Sequence, residues 1–240
     1  SEIGSLNESA NISFYNTENF NLITEWAFRD DVSCPPAICD VFSSGDTFGF
    51  SVSNIDNYNY TIREFTPPCN YEVNESGIVN MTADILGCTE NNIINITEDD
   101  VVFDCQGYTI NGTGDYGIYV TGNNVTVRNC NINITGAYGI YYDGAYNGTV
   151  ENNNVSVSNN YGIYINSSSY NNITNNDVSA DNNGIRLYSS ADNNTISNND
   201  VSVSNDHGIY LTSSADNTIS NNNVSANNYS IYLYMSSYNK

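Results

Sequence analysis

Residues able to do acid–base chemistry are scarce in this chain. Its 240 residues include one histidine, His207, and 5 basic residues against 27 acidic ones, for a net charge of −22. Of the non-terminal basic residues, only Arg128 and Arg186 fall in the repetitive region, at different positions of the repeat. Elimination on an acidic polysaccharide needs a base close to carboxylates that bind calcium. The two arginines do not form such a site.

The acidic residues offer one candidate pair for hydrolysis, Asp177 and Asp200. They are one repeat apart, which places them about 5 Å apart on adjacent turns of a stacked fold, and glycoside hydrolysis uses carboxyl groups about 5–9.5 Å apart. Because Asn154 and Asn223 hold the same repeat position, we interpret the aspartates as variants of an outward-facing ladder. Calcium on this pair is the one cofactor considered, and no dedicated metal site is predicted.

His207 lies in the sequence Asp206-His207-Gly208, which imitates part of a polygalacturonase motif. The same repeat position, just before a glycine, is held in other repeats by Tyr116, Tyr138, Tyr161, Asn183 and Tyr229. A position that accepts Tyr, Asn and His is typical of stacking on a surface. We therefore predict that His207 stacks, and that the chain has no catalytic residue.

The repeat itself is the strongest feature of the sequence. Tripeptides Gly-Ile-Tyr, or close variants, begin at residues 117, 139, 162, 184, 208 and 230. Two aliphatic columns keep an unbroken spacing of 23 residues: Val127, Val150, Ile173, Ile196 and Ile219, and Ile132, Val155, Val178, Val201 and Val224. Such a period indicates a solenoid in which each repeat forms one turn.

Each repeat contains three short segments in which apolar and polar residues alternate, separated by turns rich in Asn, Ser and Gly. Alternation predicts strands with Ile196, Val201 and Ile209 inside. We therefore predict an all-β protein whose residues 101–240 form a right-handed, single-stranded parallel β-helix of about six coils. An amide ladder is predicted at the turn between the first two strands: Asn129, Asn152, Asn175, Asn198 and Asn221.

One segment and the repeats after it carry a resemblance to a known family. The segment is Val102-Phe103-Asp104-Cys105-Gln106-Gly107-Tyr108-Thr109-Ile110-Asn111-Gly112, and Gly-Ile-Tyr and Asn-Asn-x-Val/Ile-Ser repeats follow it. Over about residues 69–240 the chain resembles the NosD-like parallel β-helix proteins of archaeal and bacterial surfaces, built from PbH1 repeats. The resemblance implies the fold but no activity, since the family includes enzymes, binders and structural proteins. It also implies a cysteine-bearing cap, here residues 67–100, before the repeats.

Residues 1–66 do not repeat, and their alternating runs predict a small β-rich module. The six cysteines of the chain allow 15 connectivities. We predict the pairs Cys34–Cys39, Cys69–Cys88 and Cys105–Cys130. The last pair is separated by one repeat plus a small insertion, which stacks the two side chains on adjacent turns.

Sixteen asparagines stand in the glycosylation motif Asn-x-Ser/Thr: Asn7, Asn11, Asn59, Asn74, Asn80, Asn95, Asn111, Asn124, Asn133, Asn147, Asn154, Asn166, Asn172, Asn193, Asn223 and Asn228. With the even cysteine count they predict an extracellular, cell-surface glycoprotein. The strongly acidic chain lacks the Lys and Arg clusters that bind nucleic acid. It also lacks the run of roughly 18 apolar residues that a membrane span needs.

One outward-facing column is a candidate interface: Tyr119, Tyr141, Tyr164, Arg186, Tyr210 and Tyr232. Stacked rings with a cation–π contact would stiffen the sheet, whereas an accessible aromatic face would dock sugars or a neighbouring protein. The last coil reaches Lys240 without a capping segment, so either the protein continues or another subunit covers it.

We predict a non-enzymatic structural glycoprotein that self-associates head to tail into a filament or surface array. The alternatives are a carbohydrate-binding or adhesion module that uses the tyrosine column and, third, a polysaccharide-degrading β-helix enzyme.

Overall fold

The computed structural model describes residues 67–240 in full and, before them, only the strands within 39–44, 47–55 and 58–65. The chain divides into two units, residues 1–63 and 64–240. The first contains strands β1 (Cys39–Ser44), β2 (Thr47–Ile55) and most of β3 (Tyr58–Phe65), with β1 antiparallel to β2. Some predictions concern parts of the chain outside the described residues. They are the bond Cys34–Cys39, the acceptors Asn7 and Asn11, and the side chain of the acceptor Asn59.

The second unit is a right-handed parallel β-solenoid, as predicted, and its described residues contain no helix. It has about seven turns, where about six coils were predicted for residues 101–240. Each turn contributes one strand to each of three sheets. Sheet 1 contains β5 (Gly77–Met81), β8 (Val101–Asp104), β11 (Thr126–Arg128), β14 (Thr149–Glu151), β17 (Asn172–Thr174), β20 (Thr195–Ser197) and β23 (Thr218–Ser220). Sheet 2 contains β6 (Ile85–Cys88), β9 (Thr109–Gly112), β12 (Asn131–Ile134), β15 (Asn154–Val157), β18 (Asp177–Ala180), β21 (Asp200–Val203) and β24 (Asn223–Ala226). Sheet 3 contains β4 (Tyr71–Val73), β7 (Asn92–Ile96), β10 (Tyr116–Val120), β13 (Tyr138–Asp143), β16 (Tyr161–Asn166), β19 (Asn183–Tyr188), β22 (His207–Thr212) and β25 (Ile231–Tyr234).

The aliphatic columns predicted from the 23-residue spacing are vertical neighbours in the core. In sheet 1, Val150 pairs with Val127 and Ile173. In sheet 2, Val178 pairs with Val155 and Val201. These side chains are fully buried, so each coil covers the apolar interior of the one before it. Burial of this kind, at about 25 cal/mol per Å² of apolar surface, is the main stabilising term of a solenoid.

Residues 67–100, assigned to a cap from the sequence, contain strands that belong to the solenoid. Within them β4 pairs in parallel with β7, while β5 and β6 pair with β8 and β9. The predicted disulfides Cys69–Cys88 and Cys105–Cys130 are both present. The second bond joins adjacent turns, since β8 and β11 pair just before its two cysteines.

The amide ladder lies at the turn from sheet 1 to sheet 2, here called the 1–2 corner. In each repeat it is formed by the asparagine one residue after the predicted one. The first asparagine of each pair, such as Asn175 (φ 55°), adopts the left-handed conformation that Asn tolerates and is exposed. The turn directs the second asparagine inward, so the buried ladder consists of Asn153, Asn176, Asn199 and Asn222. The prediction that Asn129, Asn152, Asn175, Asn198 and Asn221 form the ladder was therefore wrong.

Asn176 shows how the ladder is bonded. Its Oδ1 accepts the backbone N–H and the Nδ2 of Asn153, both at 3.0 Å. Its own Nδ2 donates to the carbonyl of Val150 at 2.9 Å and to Oδ1 of Asn199 at 3.0 Å. Each interior amide thus satisfies backbone groups that the corner removes from the sheets.

A second interior ladder lies at the turn from sheet 3 to sheet 1, here the 3–1 corner: Asn171, Asn194, Asn217 and Asn239. Gly148 holds the corresponding place one coil earlier. A Cβ there would lie 2.6 Å from Cε1 of Tyr142. Tyr142 is fully buried, and its hydroxyl donates to the carbonyls of Val125 and Thr149 at 2.9 and 3.2 Å. A buried phenol therefore takes the space of one ladder amide.

Candidate functional site: the tyrosine layer and the glycan acceptors

The outer face of sheet 3 carries two adjacent columns of aromatic residues, here called the tyrosine layer. One column lies at or just before the start of the strands, and the predicted interface column follows three residues later. The layer consists of Tyr116, Tyr138, Tyr161, His207 and Tyr229, and of Tyr119, Tyr141, Tyr164, Arg186, Tyr210 and Tyr232. Parallel pairing brings equivalent residues of successive coils side by side, as in Tyr119 opposite Tyr141.

The rings of the layer cover one another. Tyr116 and Tyr138 stack with centroids 5.0 Å apart and planes 6° from parallel, and Tyr138 packs against Tyr141 at 5.0 Å. Tyr164 is only 8% exposed. Neighbouring rings therefore cover much of the ring faces in this part of the layer. This packing fits the stiffening interpretation, because offset and tilted aromatic pairs stabilise beyond their buried area.

Arg186 replaces a tyrosine in the middle of the layer. Its guanidinium carbon lies 5.0–5.5 Å from the ring centroids of Tyr161, Tyr164, Tyr188 and Tyr210. Nη1 donates to the Tyr161 hydroxyl at 2.7 Å, and Nε is buried without a hydrogen-bond partner. No ion pair among residues 67–240 includes Arg186. Its charge is balanced by aromatic faces instead of a carboxylate.

Burial raises the pKa of several layer tyrosines, because it penalises the charged phenolate. Burial, helped by the hydrogen bond from the Tyr119 hydroxyl to Asp143 Oδ2 at 2.9 Å, raises the pKa of Tyr119 to about 12. Burial also raises the pKa of Tyr164 to about 12, although Arg186 opposes the shift. The pKa values of Tyr116, Tyr138, Tyr141 and the core residue Tyr142 are raised for the same first reason.

These shifts predict alkaline unfolding. The pKa of Tyr119 and of Tyr164 in the folded protein lies above the ordinary tyrosine pKa of 10.0, so their contribution to stability is complete below pH 10 and is lost as the pH rises through about 12. We expect the free energy of unfolding to fall over this interval and tyrosinate absorbance to rise in the native protein above pH 10, later than in urea. A single native step near pH 10 that involves every tyrosine would contradict the packing described above.

His207 is buried in the layer, as its predicted stacking role requires. Its ring stacks on Tyr232 at 4.7 Å, Tyr210 at 5.0 Å and Tyr229 at 5.5 Å. Nδ1 lies 2.6 Å from Asp206 Oδ1 and has no hydrogen-bond partner among residues 67–240. A ring enclosed in this way has no open side for a substrate.

Asp177 and Asp200 are opposite each other on the exposed face of sheet 2. Asn223 donates from Nδ2 to Asp200 at 3.2 Å, which places the aspartate in the predicted polar ladder. Asp177 also lines an open groove of about 470 Å³ along the 1–2 corner, with amides such as Asn131 and Asn154 as its other walls. Arg128 is elsewhere, paired with the buried Asp104 at 2.7 Å. Asp177 is the one charged residue that lines the groove; the other lining residues are Asn, Gly and Cys.

Metal-binding chemistry is weak within residues 67–240. One group of three side chains in this range lies close enough together to bind a metal ion: Cys69, Cys88 and Glu90. Its two cysteines form a disulfide. A bonded sulfur is not a thiolate and is a poor ligand. Calcium at Asp177 and Asp200 stays a prediction. Among the described residues, no helix is long and apolar enough to cross a bilayer.

The glycan acceptors in residues 67–240 all have accessible side chains. Nine are exposed: Asn74, Asn124, Asn133, Asn147, Asn154, Asn172, Asn193, Asn223 and Asn228. Four are half-buried: Asn80, Asn95, Asn111 and Asn166. None is a member of the two buried ladders, so the asparagines that stabilise the interior differ from those that carry the motif.

The sequence model of a protein family, the right-handed β-helix region, matches residues 70–204 and, in a second overlapping match, residues 116–240. The chain belongs to the right-handed β-helix family. The stacked register of this family is present in every coil described above, which agrees with the NosD-like, PbH1-repeat resemblance.

Similar solved structures are distant in sequence. The Dettilon tailspike protein is 18% identical, with 68% of this β-helix chain and 43% of the tailspike covered and a TM-score of 0.49. A double mutant of the periplasmic alginate epimerase AlgG is 14% identical (83% and 68% covered, TM-score 0.43). Endopolygalacturonase I from Stereum purpureum is 12% identical (75% and 91% covered, TM-score 0.25). The chain spans less than half of the tailspike, and no curated protein matches it.

Proposed function

We propose that this β-helix chain is a non-enzymatic structural glycoprotein of the cell exterior, which assembles end to end into a filament or surface array. The observation that carries the proposal is the uniformity of the coils. From Val127 to Ile219 the repeat keeps its length, so no described coil in this stretch has an inserted loop that would wall a substrate cleft. Substrate sites are normally concave and enclosed.

Glycosylation and an oxidising compartment support the same proposal. The accessible acceptors lie on the outside of the rod, and the two disulfides in residues 67–240 are typical of proteins exposed to an oxidising exterior. A high negative charge and a coat of sugars both oppose non-specific association. Contacts between copies would then be confined to surfaces that carry neither sugars nor a high negative charge.

The proposed contact involves β25. Ile231 and Leu233 are 46% and 44% exposed, whereas Ile209 and Leu211, their partners one coil earlier, are fully buried. In the proposed assembly these two side chains pack on a second copy of the solenoid, which makes the contact heterologous and filament-forming.

The test is the oligomeric state of the full-length glycoprotein by light scattering and electron microscopy. We expect end-to-end association that grows with concentration and is abolished by Leu233→Lys. Tyr146→Lys is the matched control, since Tyr146 is equally exposed at 43% but lies on the side of the rod. A strictly monomeric native protein, or equal effects of both substitutions, would contradict the assembly.

A carbohydrate-binding module is the alternative, favoured by the guanidinium of Arg186, which has no ion pair among residues 67–240, and by the tyrosine layer around it. Binding to a glycan array that is lost in both Tyr164→Ala and Tyr210→Ala would support it over the structural role. Turnover of an acidic polysaccharide in the presence of calcium would instead support an enzyme.

A further inference from the structure

Two tyrosines lie at a position of the 3–1 corner that other coils fill with Asn or Asp. The residues at this position all have positive φ: Asn124 (54°), Asn147 (59°), Tyr170 (61°), Asn193 (57°), Asp216 (57°) and Tyr238 (58°). Asn and Asp tolerate this conformation because their short polar side chains bond locally, whereas a bulky ring disfavours it. Tyr170 is also 61% exposed.

The Tyr170 ring has no partner that explains its position. None of the ring pairs or side-chain hydrogen bonds found among residues 67–240 includes it, and its backbone N–H donates to the carbonyl of Asp192 at 3.2 Å as the corner geometry requires. An exposed aromatic side chain held in a disfavoured conformation is a reason to look for a function.

The neighbours of Tyr170 in this column are glycan acceptors on both sides. Asn147 begins the motif Asn147-Gly148-Thr149, and Asn193 begins Asn193-Asn194-Thr195. Adjacent coils are about 4.8 Å apart, so each acceptor lies one coil spacing from the tyrosine.

The amides of these two acceptors are exposed and make no side-chain hydrogen bond within the described part of the chain. Asn124, in the same column, differs because its Nδ2 donates to Asp100 at 2.7 Å. Asn147 and Asn193 are therefore the acceptors of this column whose Nδ2 is open to modification.

We propose that Tyr170 is a platform for the first pyranose ring of the N-linked glycan on Asn147 or Asn193. The inference rests on the proposed glycoprotein function. A sugar joined to either Nδ2 begins beside the ring, and the apolar C–H face of a pyranose packs on an aromatic face with burial of apolar area from both. The contact orders the glycan along the rod and offsets the unfavourable backbone conformation of Tyr170.

The experiment measures the effect of Tyr170→Asn on the melting temperature of the glycosylated full-length chain, with and without the flanking sugars. Thr149→Val and Thr195→Val remove the two motifs while leaving both left-handed asparagines in place. Without the sugars, Tyr170→Asn should raise the melting temperature, because Asn suits the corner. With the sugars it should lower it, and we expect the two shifts to differ by about 2 °C or more.

Tyr238→Asn is the matched control. Tyr238 has φ 58° and 80% exposure in the same column, but its neighbour Asp216 begins no motif. Its substitution should shift the melting temperature equally in both backgrounds. Equal shifts for Tyr170→Asn as well would overturn the inference.

Glycopeptide mass spectrometry separates this inference from its premise. Sugar on Asn147 or Asn193, together with the unequal shifts, supports the platform. Sugar on other acceptors but on neither of these two overturns the platform and leaves the glycoprotein standing. A chain from its native source without any sugar overturns both.

Discussion

Replacing Asn176 by alanine is expected to lower the free energy of unfolding by about 3–5 kcal/mol, since each buried polar group left unpaired costs about 1–3 kcal/mol. The substitution removes the acceptor for Asn153 and the donor to the Val150 carbonyl, in an interior from which water is excluded. Urea unfolding measures the loss.

Asn175→Gly is the control for this substitution. Asn175 precedes Asn176 but is exposed and holds the left-handed conformation, which glycine adopts freely. We expect a change below about 1 kcal/mol. If Asn175→Gly destabilised the protein as much as Asn176→Ala, the ladder would not lie where the structure places it.

Tyr142 and Gly148 are expected to show strong energetic coupling. Gly148→Asn restores the amide found in later coils but brings its Cβ to 2.6 Å from Cε1 of Tyr142 and to 2.7 Å from the carbonyl oxygen of Val125. Overpacking of this kind costs about 3 kcal/mol, and Tyr142→Leu relieves the contact with the ring but not the one with the carbonyl. Tyr142→Leu leaves a cavity and two carbonyls without the phenol donor, at a cost of about 2–4 kcal/mol. Leucine is the residue that later coils carry at this position, as in Leu187 and Leu211.

The double variant combines leucine and asparagine as the later coils do. We expect it to be at least about 2 kcal/mol more stable than the sum of the single effects predicts. A double-mutant cycle by urea unfolding measures the coupling. Additive effects would show that the ring and the ladder amide do not compete for one space.

The coil architecture could be predicted from the sequence because the same apolar pattern occurs in every repeat. Each apolar column, such as the one through Val178, has five members at one spacing. Several columns therefore predict the same register between coils. The Cys105–Cys130 bond followed from the same geometry, since one repeat separates the pair. The alignment of the repeats also placed His207 and Asp200 in their ladders.

The amide ladder was misplaced because both asparagines of each corner repeat with the same period. The spacing of Asn175 and of Asn176 is identical, and only the left-handed conformation of the first decides which amide turns inward. Gly148 carried a signal that the prediction did not use. It precedes Asn171 and Asn194 in their column, and it lies in the same coil as Tyr142, a tyrosine in an otherwise aliphatic column.

The character of the tyrosine layer also depends on three-dimensional packing. The sequence gives two columns of rings three residues apart, but the exposure of Tyr164 depends on how rings of neighbouring coils tilt. The position of Arg186 among four rings is likewise a property of three successive coils. Neither follows from one repeat.

Cryo-electron microscopy of the native assembly tests the central claim most directly, namely that this β-helix is a sugar-coated structural rod extended by its neighbours. The account predicts coils that continue across the contact made by Ile231 and Leu233 at the spacing found within the chain, with glycan density on the outer surface. Isolated particles without sugar density, or contacts only through the sides of the rod, would contradict it.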